Sequence, residues 1–141
     1  MEDTAKRGNF EKILVVEDDE DVRRITVRLL LGLNYDVVEA TDGPAALRVL
    51  SELDEAAVKV DLAFSDVVMP FGMNGIDLSI AIWGKYPTTP VMLTSGYPEK
   101  VLREAGLGEE DLRQIKVIRK PYSRKTLSEA IASALVKIDQ D

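Results

Sequence analysis

The side chains able to do chemistry in this sequence are the carboxylates Glu17, Asp18 and Asp66, the hydroxyl of Thr94 and the amine of Lys120. Each stands at or just past the end of a short apolar run: ILVV before Glu17, LAF before Ser65 and Asp66, VML before Thr94, and IKVIR before Lys120. Clustered carboxylates repel one another and are costly unless a cation joins them. All the candidate ligands are oxygens, so the suitable cation is a hard one, Mg²⁺ first, with Mn²⁺ as a substitute. Mg²⁺ takes few protein ligands and often shares its shell with a phosphate. Lys120 is a point charge able to hold an anionic oxygen, and Thr94 can donate a hydrogen bond to one.

Taken singly, each residue also has an ordinary reading. Asp66 could start a turn. The acids at 17–21 suit the positive end of a helix. Thr94 and Ser95 could cap a helix, and Lys120 could be a solvated lysine at a strand end. Their shared position, each at the same end of a separate apolar run, is what sets the functional reading apart.

The rest of the composition narrows the chemistry. The chain has no histidine and no cysteine, so imidazole bases, thiol chemistry and zinc–thiolate sites are excluded. Any phosphoryl or proton chemistry must use carboxylates, hydroxyls and lysine. A net charge of −7 argues against a sequence-independent grip on nucleic acid. The first residues lack the apolar core of a signal peptide, and no run approaches membrane-spanning length, so a cytoplasmic protein with no membrane partner is expected. A length of 141 residues suits one domain. The expected division is a flexible lead-in over residues 1–11, the domain over 12–138 and a tail over 139–141.

Elements must bring those residues together. Apolar, partly β-branched runs predict strands near residues 13–16, 35–39, 62–66, 91–94 and 115–119. Helical spacing predicts helices up to about Gly32, from the Gly43 turn to Leu53, over 76–85, over 99–105, and from Ser123 onward, where Leu127, Ala130, Ile131, Ala134, Leu135 and Ile138 share a face. In the first helix the predicted core stripe is Val22, Ile25, Leu29 and Leu33. Five strand–helix alternations imply an α/β fold, a doubly wound parallel sheet with helices on both faces. Right-handed crossovers leave the strand order 2-1-3-4-5 as the common solution, with ligands at the C-terminal strand ends.

At this point the chain resembles the receiver domain of two-component response regulators, the group that includes the chemotaxis regulators. The resemblance rests on ILVVEDD (residues 13–19), DLAFSDVVMP (61–70), VMLTSGY (91–97) and IRKPY (118–122), which occur in the right order and span residues 12–138. It implies a flavodoxin-like, three-layer (βα)5 fold, so the strand order and the resemblance are one inference rather than two. Asp66 is then implied to be the phosphoacceptor of a phosphorelay. Asp18 is implied to be the principal Mg²⁺ ligand, with Glu17 supporting through water and Asp66 and the Val68 carbonyl completing the protein ligands. Thr94 corresponds to the switch hydroxyl and Lys120 to the phosphoryl-binding lysine, and the Lys120–Pro121 bond is expected to be cis. The donor would be a phosphohistidine on a sensor or hybrid histidine kinase, or on a histidine phosphotransfer protein. The chain is then a signalling phosphoacceptor, promoting its own phosphorylation and dephosphorylation, rather than a metabolic enzyme. Two alternatives stay open: a phosphorylation-independent pseudo-receiver, and an aspartyl-nucleophile Mg²⁺ phosphatase. The phosphatase usually needs a second Asp where this chain has Val68.

The sequence departs from the receiver pattern in places. Val117 stands where an aromatic usually precedes the lysine, residues 105–114 are long, and the 71–75 turn holds an extra residue. The overall look is that of receivers from hybrid kinases or of stand-alone regulators, with monomer and dimer both open. Arg23, Val27 and Leu30, at or off the margin of the predicted core stripe, are expected to join Tyr122 in contacting the phosphodonor.

Overall fold

A computed structural model describes residues 6–96, 100 and 115–139. The order is β1 (Lys12–Val16), α1 (Glu20–Gly32), β2 (Asp36–Ala40), α2 (Gly43–Glu55), β3 (Leu62–Asp66), α3 (Gly75–Lys85), β4 (Val91–Ser95), β5 (Ile115–Arg119) and α4 (Arg124–Asp139). The five strands form one parallel sheet in the order β2-β1-β3-β4-β5, as expected. The predicted helix at 99–105 and the long loop to Gln114 lie outside the described residues.

Period-2 alternation in each strand divides the core into two layers. Leu14, Val16, Ala63 and Leu93 face Ala46 and Leu50 of α2 and Leu78 and Ile82 of α3. Ile13, Val15, Leu62, Phe64 and Met92 face Leu30 and Leu33 at α1 and Leu127 and Ile131 of α4. Burial on both faces explains why β1, β3 and β4 read as near-continuous apolar stretches.

The helices begin where short polar side chains can take up unpaired backbone N–H groups. Asp19 caps α1 by accepting from Asp21 and Val22. Asp42 caps α2 through the Ala45 N–H, with Pro44 in the first turn. Asn74 and Asp77 form a reciprocal capping box on α3.

Two expectations change. The lead-in is fastened from Arg7 onward: Arg7 donates to the Gly32 carbonyl, Gly8 to that of Leu33 and Phe10 to that of Asn34. Gly8 lies under the Tyr35 ring, where a Cβ would come within 2.2 Å of Cε1. The core stripe of α1 keeps Leu33, fully buried, and Leu29, packed half-buried against the core, but shifts by one position at Val22 and Ile25. Thr26 and Leu30 are buried, while Ile25 is 61% exposed and Val22 37%. One position is about 100° around a helix. Burial of Thr26 is possible because its hydroxyl donates to the Val22 carbonyl at 2.9 Å, leaving its methyl group for the core.

Candidate functional site

Parallel strands leave their C-terminal ends along one edge of the sheet, and the candidate residues meet there. Asp66, the last residue of β3, is paired in register with Thr94 of β4. The Lys120 N–H donates to the Ser95 carbonyl at 2.8 Å, which seats the chain leaving β5 beside β4. The Lys120–Pro121 bond is cis. Lys120 Nζ donates to Asp66 Oδ2 at 2.7 Å, joining residues 54 positions apart. A small crevice lined by Glu17, Thr26, Phe64, Asp66, Thr94, Lys120 and Tyr122 holds these groups.

Burial sets the electrostatics. Glu17 is only 7% exposed. Desolvation pushes its carboxyl up to about 7, helped by the neighbouring Asp18 and Asp66 and opposed by the Asp19 N–H and Lys120. For Lys120, burial pulls the amine downward, but the hydrogen bond and charge of Asp66 outweigh this and leave it raised. The Thr94 hydroxyl is buried with no hydrogen-bond partner among the described residues. An orphaned buried hydroxyl is costly and suits a group that receives its partner later.

Placement of the other predicted residues is uneven. Asp18 is exposed, with its carboxyl beside that of Glu17. Val68 is 77% exposed, and its N–H donates to Asp66 Oδ1 at 3.3 Å. Among the described residues, no three carboxylates are already gathered as a cation site. The donor set nonetheless fits a hard cation: every donor is oxygen, and Glu17 sits in a setting where a proton or a cation must relieve its charge.

The expected partner surface needs correction. Leu30 is 0% exposed and packs in the core, so it cannot meet another protein. Arg23 is held inward, Nε to Glu39 Oε1 at 3.1 Å and Nη1 to the Glu17 carbonyl at 3.0 Å. Val27 is half-buried, and half-buried Tyr122 packs against Phe64 with ring centroids 6.1 Å apart. The apolar residues that α1 exposes are Val22, Ile25 and Leu31. Sequence reasoning missed Thr26 as a wall of the crevice, because a threonine inside a helical run carries no signal of burial. Val117, at the position where the receiver pattern usually carries an aromatic, packs half-buried on the α2–α3 side of the sheet.

Comparison with known proteins places this geometry. Residues 13–132 match the response regulator receiver domain model. The chain is 33% identical over 127 residues to the sensor kinase CckA of Brucella abortus (strain 2308), covering 90% of this chain and 13% of CckA. It is 29% identical to the response regulator receiver protein CpdR of the same strain, covering 90% of this chain and 98% of CpdR. A crystal structure of the receiver domain of hybrid histidine kinase CckA superposes with a TM-score of 0.69 at 36% identity, covering 88% of this chain and 98% of that one. The match spans most of the chain and all five strands: the chain belongs to the response regulator receiver domain family of two-component signalling.

Proposed function

We propose that this receiver domain accepts a phosphoryl group on Asp66 from a phosphohistidine of a histidine kinase or histidine phosphotransfer protein. The observation that carries the reading is the Lys120–Asp66 contact at 2.7 Å, which keeps a cation on the largely buried carboxylate that ends β3. Asp66 attacks phosphorus with a carboxylate oxygen as the histidine N–P bond breaks, and the departing imidazole keeps the electron pair. Two anions must approach for this to happen, and the ammonium of Lys120 stabilises the oxygens that gather charge. Glu17, Asp18, Asp66 and the Val68 carbonyl would hold Mg²⁺, which supplies charge neutralisation to the transferring group. Thr94, directly across the register from Asp66, offers the new phosphoryl oxygens a hydroxyl that has no partner among the described residues. That new hydrogen bond favours one of two arrangements of the β4 end, so the chain acts as a switch rather than a metabolic enzyme.

The test is incubation with acetyl phosphate and Mg²⁺, followed by a phosphate-affinity gel. Wild type is expected to shift and Asp66→Asn to stay unshifted. A label that persists in Asp66→Asn would refute the assignment. No label in either would favour the phosphorylation-independent pseudo-receiver.

A further inference from the structure

The loop after β3 places two consecutive residues in the left-handed region, Phe71 at φ +67° and Gly72 at φ +72°. Glycine takes that conformation freely, whereas a bulky aromatic does so only against steric resistance. Two positive φ values between Pro70 and Met73 match the centre of a type I′ turn, whose first position asparagine or glycine fills best. Among the described residues no packing offsets the strain at Phe71, which is 78% exposed. The loop around it is well seated. Met69 and Met73 pack against the α2–α3 core, and the Gly75 N–H donates to the Val67 carbonyl at 2.7 Å. A Cβ on Gly75 would lie 2.5 Å from the Asp66 carbonyl oxygen, so the loop returns onto the acceptor's own backbone. Phe71 is the tip between two anchoring methionines. A strained backbone that holds an aromatic exposed, in the loop that leaves the proposed acceptor, indicates recognition rather than folding.

We propose that Phe71 is an aromatic anchor for the phosphohistidine-bearing protein that docks over Asp66; this rests on the reading of Asp66 as phosphoacceptor. Five residues of chain reach at most about 18 Å, and closure of the loop brings the tip nearer. A protein partner of ordinary interface size covers about 800 Å² on each side, a disc of roughly 16 Å radius. A partner that delivers a histidine to Asp66 therefore covers the loop tip, with exposed Val68 on the path between. A small phosphodonor covers none of it. Exposed aromatics inside such a footprint are the side chains that most often dominate binding.

The discriminating variant is Phe71→Asn, which suits the turn and removes the ring. Its Tm is expected to rise by about 3 °C as strain is relieved. Labelling by acetyl phosphate should keep the wild-type rate. Transfer should fall at least about tenfold from whichever histidine kinase or phosphotransfer protein of the same organism labels wild type fastest, while Phe71→Tyr keeps most of it. Phe10 provides a matched control, since it is 68% exposed at φ +62° but lies at the opposite edge of the sheet, before β1. Phe10→Asn should raise Tm and leave transfer untouched. Wild-type transfer to Phe71→Asn would overturn the proposal, as would an equal loss with acetyl phosphate. It is also overturned if acetyl phosphate labels wild type but no phosphohistidine protein does, or if the ring serves only to join two copies by gel filtration. Failure of acetyl phosphate to label Asp66 at all would instead remove the phosphoacceptor reading beneath it.

Discussion

Lys120→Met removes the cation of the crevice while keeping most of the buried stem, so its cost reports the electrostatics of the site. Lys120 Nζ lies 2.7 Å from Asp66 Oδ2, with the two side chains 35% and 15% exposed. A hydrogen bond to a charged group contributes about 1.5–3 kcal/mol. Lys120 retains a third of its exposure, so solvent screening favours the lower half of that range, about 1.5–2 kcal/mol. Lys120 also lowers the Glu17 carboxyl, which burial has raised to about 7. Without the amine, Glu17 and Asp66 face each other as anions at pH 8, whereas at pH 5 Glu17 is protonated. Lysine, with its pKa raised in the folded state, stays charged across this window, and its contribution disappears only at higher pH as its folded pKa is passed. The pH dependence between 5 and 8 therefore belongs to Glu17. Urea unfolding without added metal should show a midpoint lowered by about 1 M at pH 5, where only the bond to Asp66 is lost, for a slope near 2 kcal/mol/M, and by clearly more at pH 8. Adding Asp66→Asn should recover most of the loss, giving a coupling of about 1–2 kcal/mol in a double-mutant cycle. A midpoint unchanged at pH 8, or lowered equally at both pH values, would refute the reasoning.

Three further outcomes are expected. Because the Glu17 pKa is raised on folding, the native state holds its proton more tightly, and wild-type stability should fall as pH rises from about 4.5 to 7. Glu17→Gln should flatten that fall by an amount on the order of 2 kcal/mol in metal-free urea titrations, and an unchanged slope would contradict it. Thr94→Val replaces a buried hydroxyl that has no partner among the described residues with a methyl group of similar shape, so Tm should hold or rise slightly, and a loss above about 1 kcal/mol would show that the hydroxyl is bonded in the free protein. Gly75→Ala brings a Cβ to 2.5 Å from the Asp66 carbonyl and 2.9 Å from Val67 Cα, both backbone atoms that cannot swing away. It should cost about 1–3 kcal/mol in urea unfolding and slow acetyl phosphate labelling, and neutrality in both would show that the loop yields freely.

The sequence by itself determined the sheet and its working edge. Strands buried on both faces are apolar through most of their length, so polar residues mark their ends, and Glu17, the Ser65–Asp66 pair, Thr94 and Lys120 are such markers. The caps were legible for the same reason, since Asp19, Asp42 and Asn74 stand just before helical runs. Which side of α1 faces the core was not legible. Apolar residues surround that helix, and only packing against the sheet put Thr26 and Leu30 inside beside Leu29 and Leu33 and left Val22 and Ile25 outside. The burial that raises Glu17, the orphaned Thr94 hydroxyl and the inward hold on Arg23 likewise depend on contacts between elements far apart in the chain. Phe71 shows the division most sharply. Its composition-level neighbours, Pro70 and Gly72, announced a turn, but the left-handed backbone under an exposed ring appears only once Met69, Met73 and Gly75 have closed the loop onto Asp66.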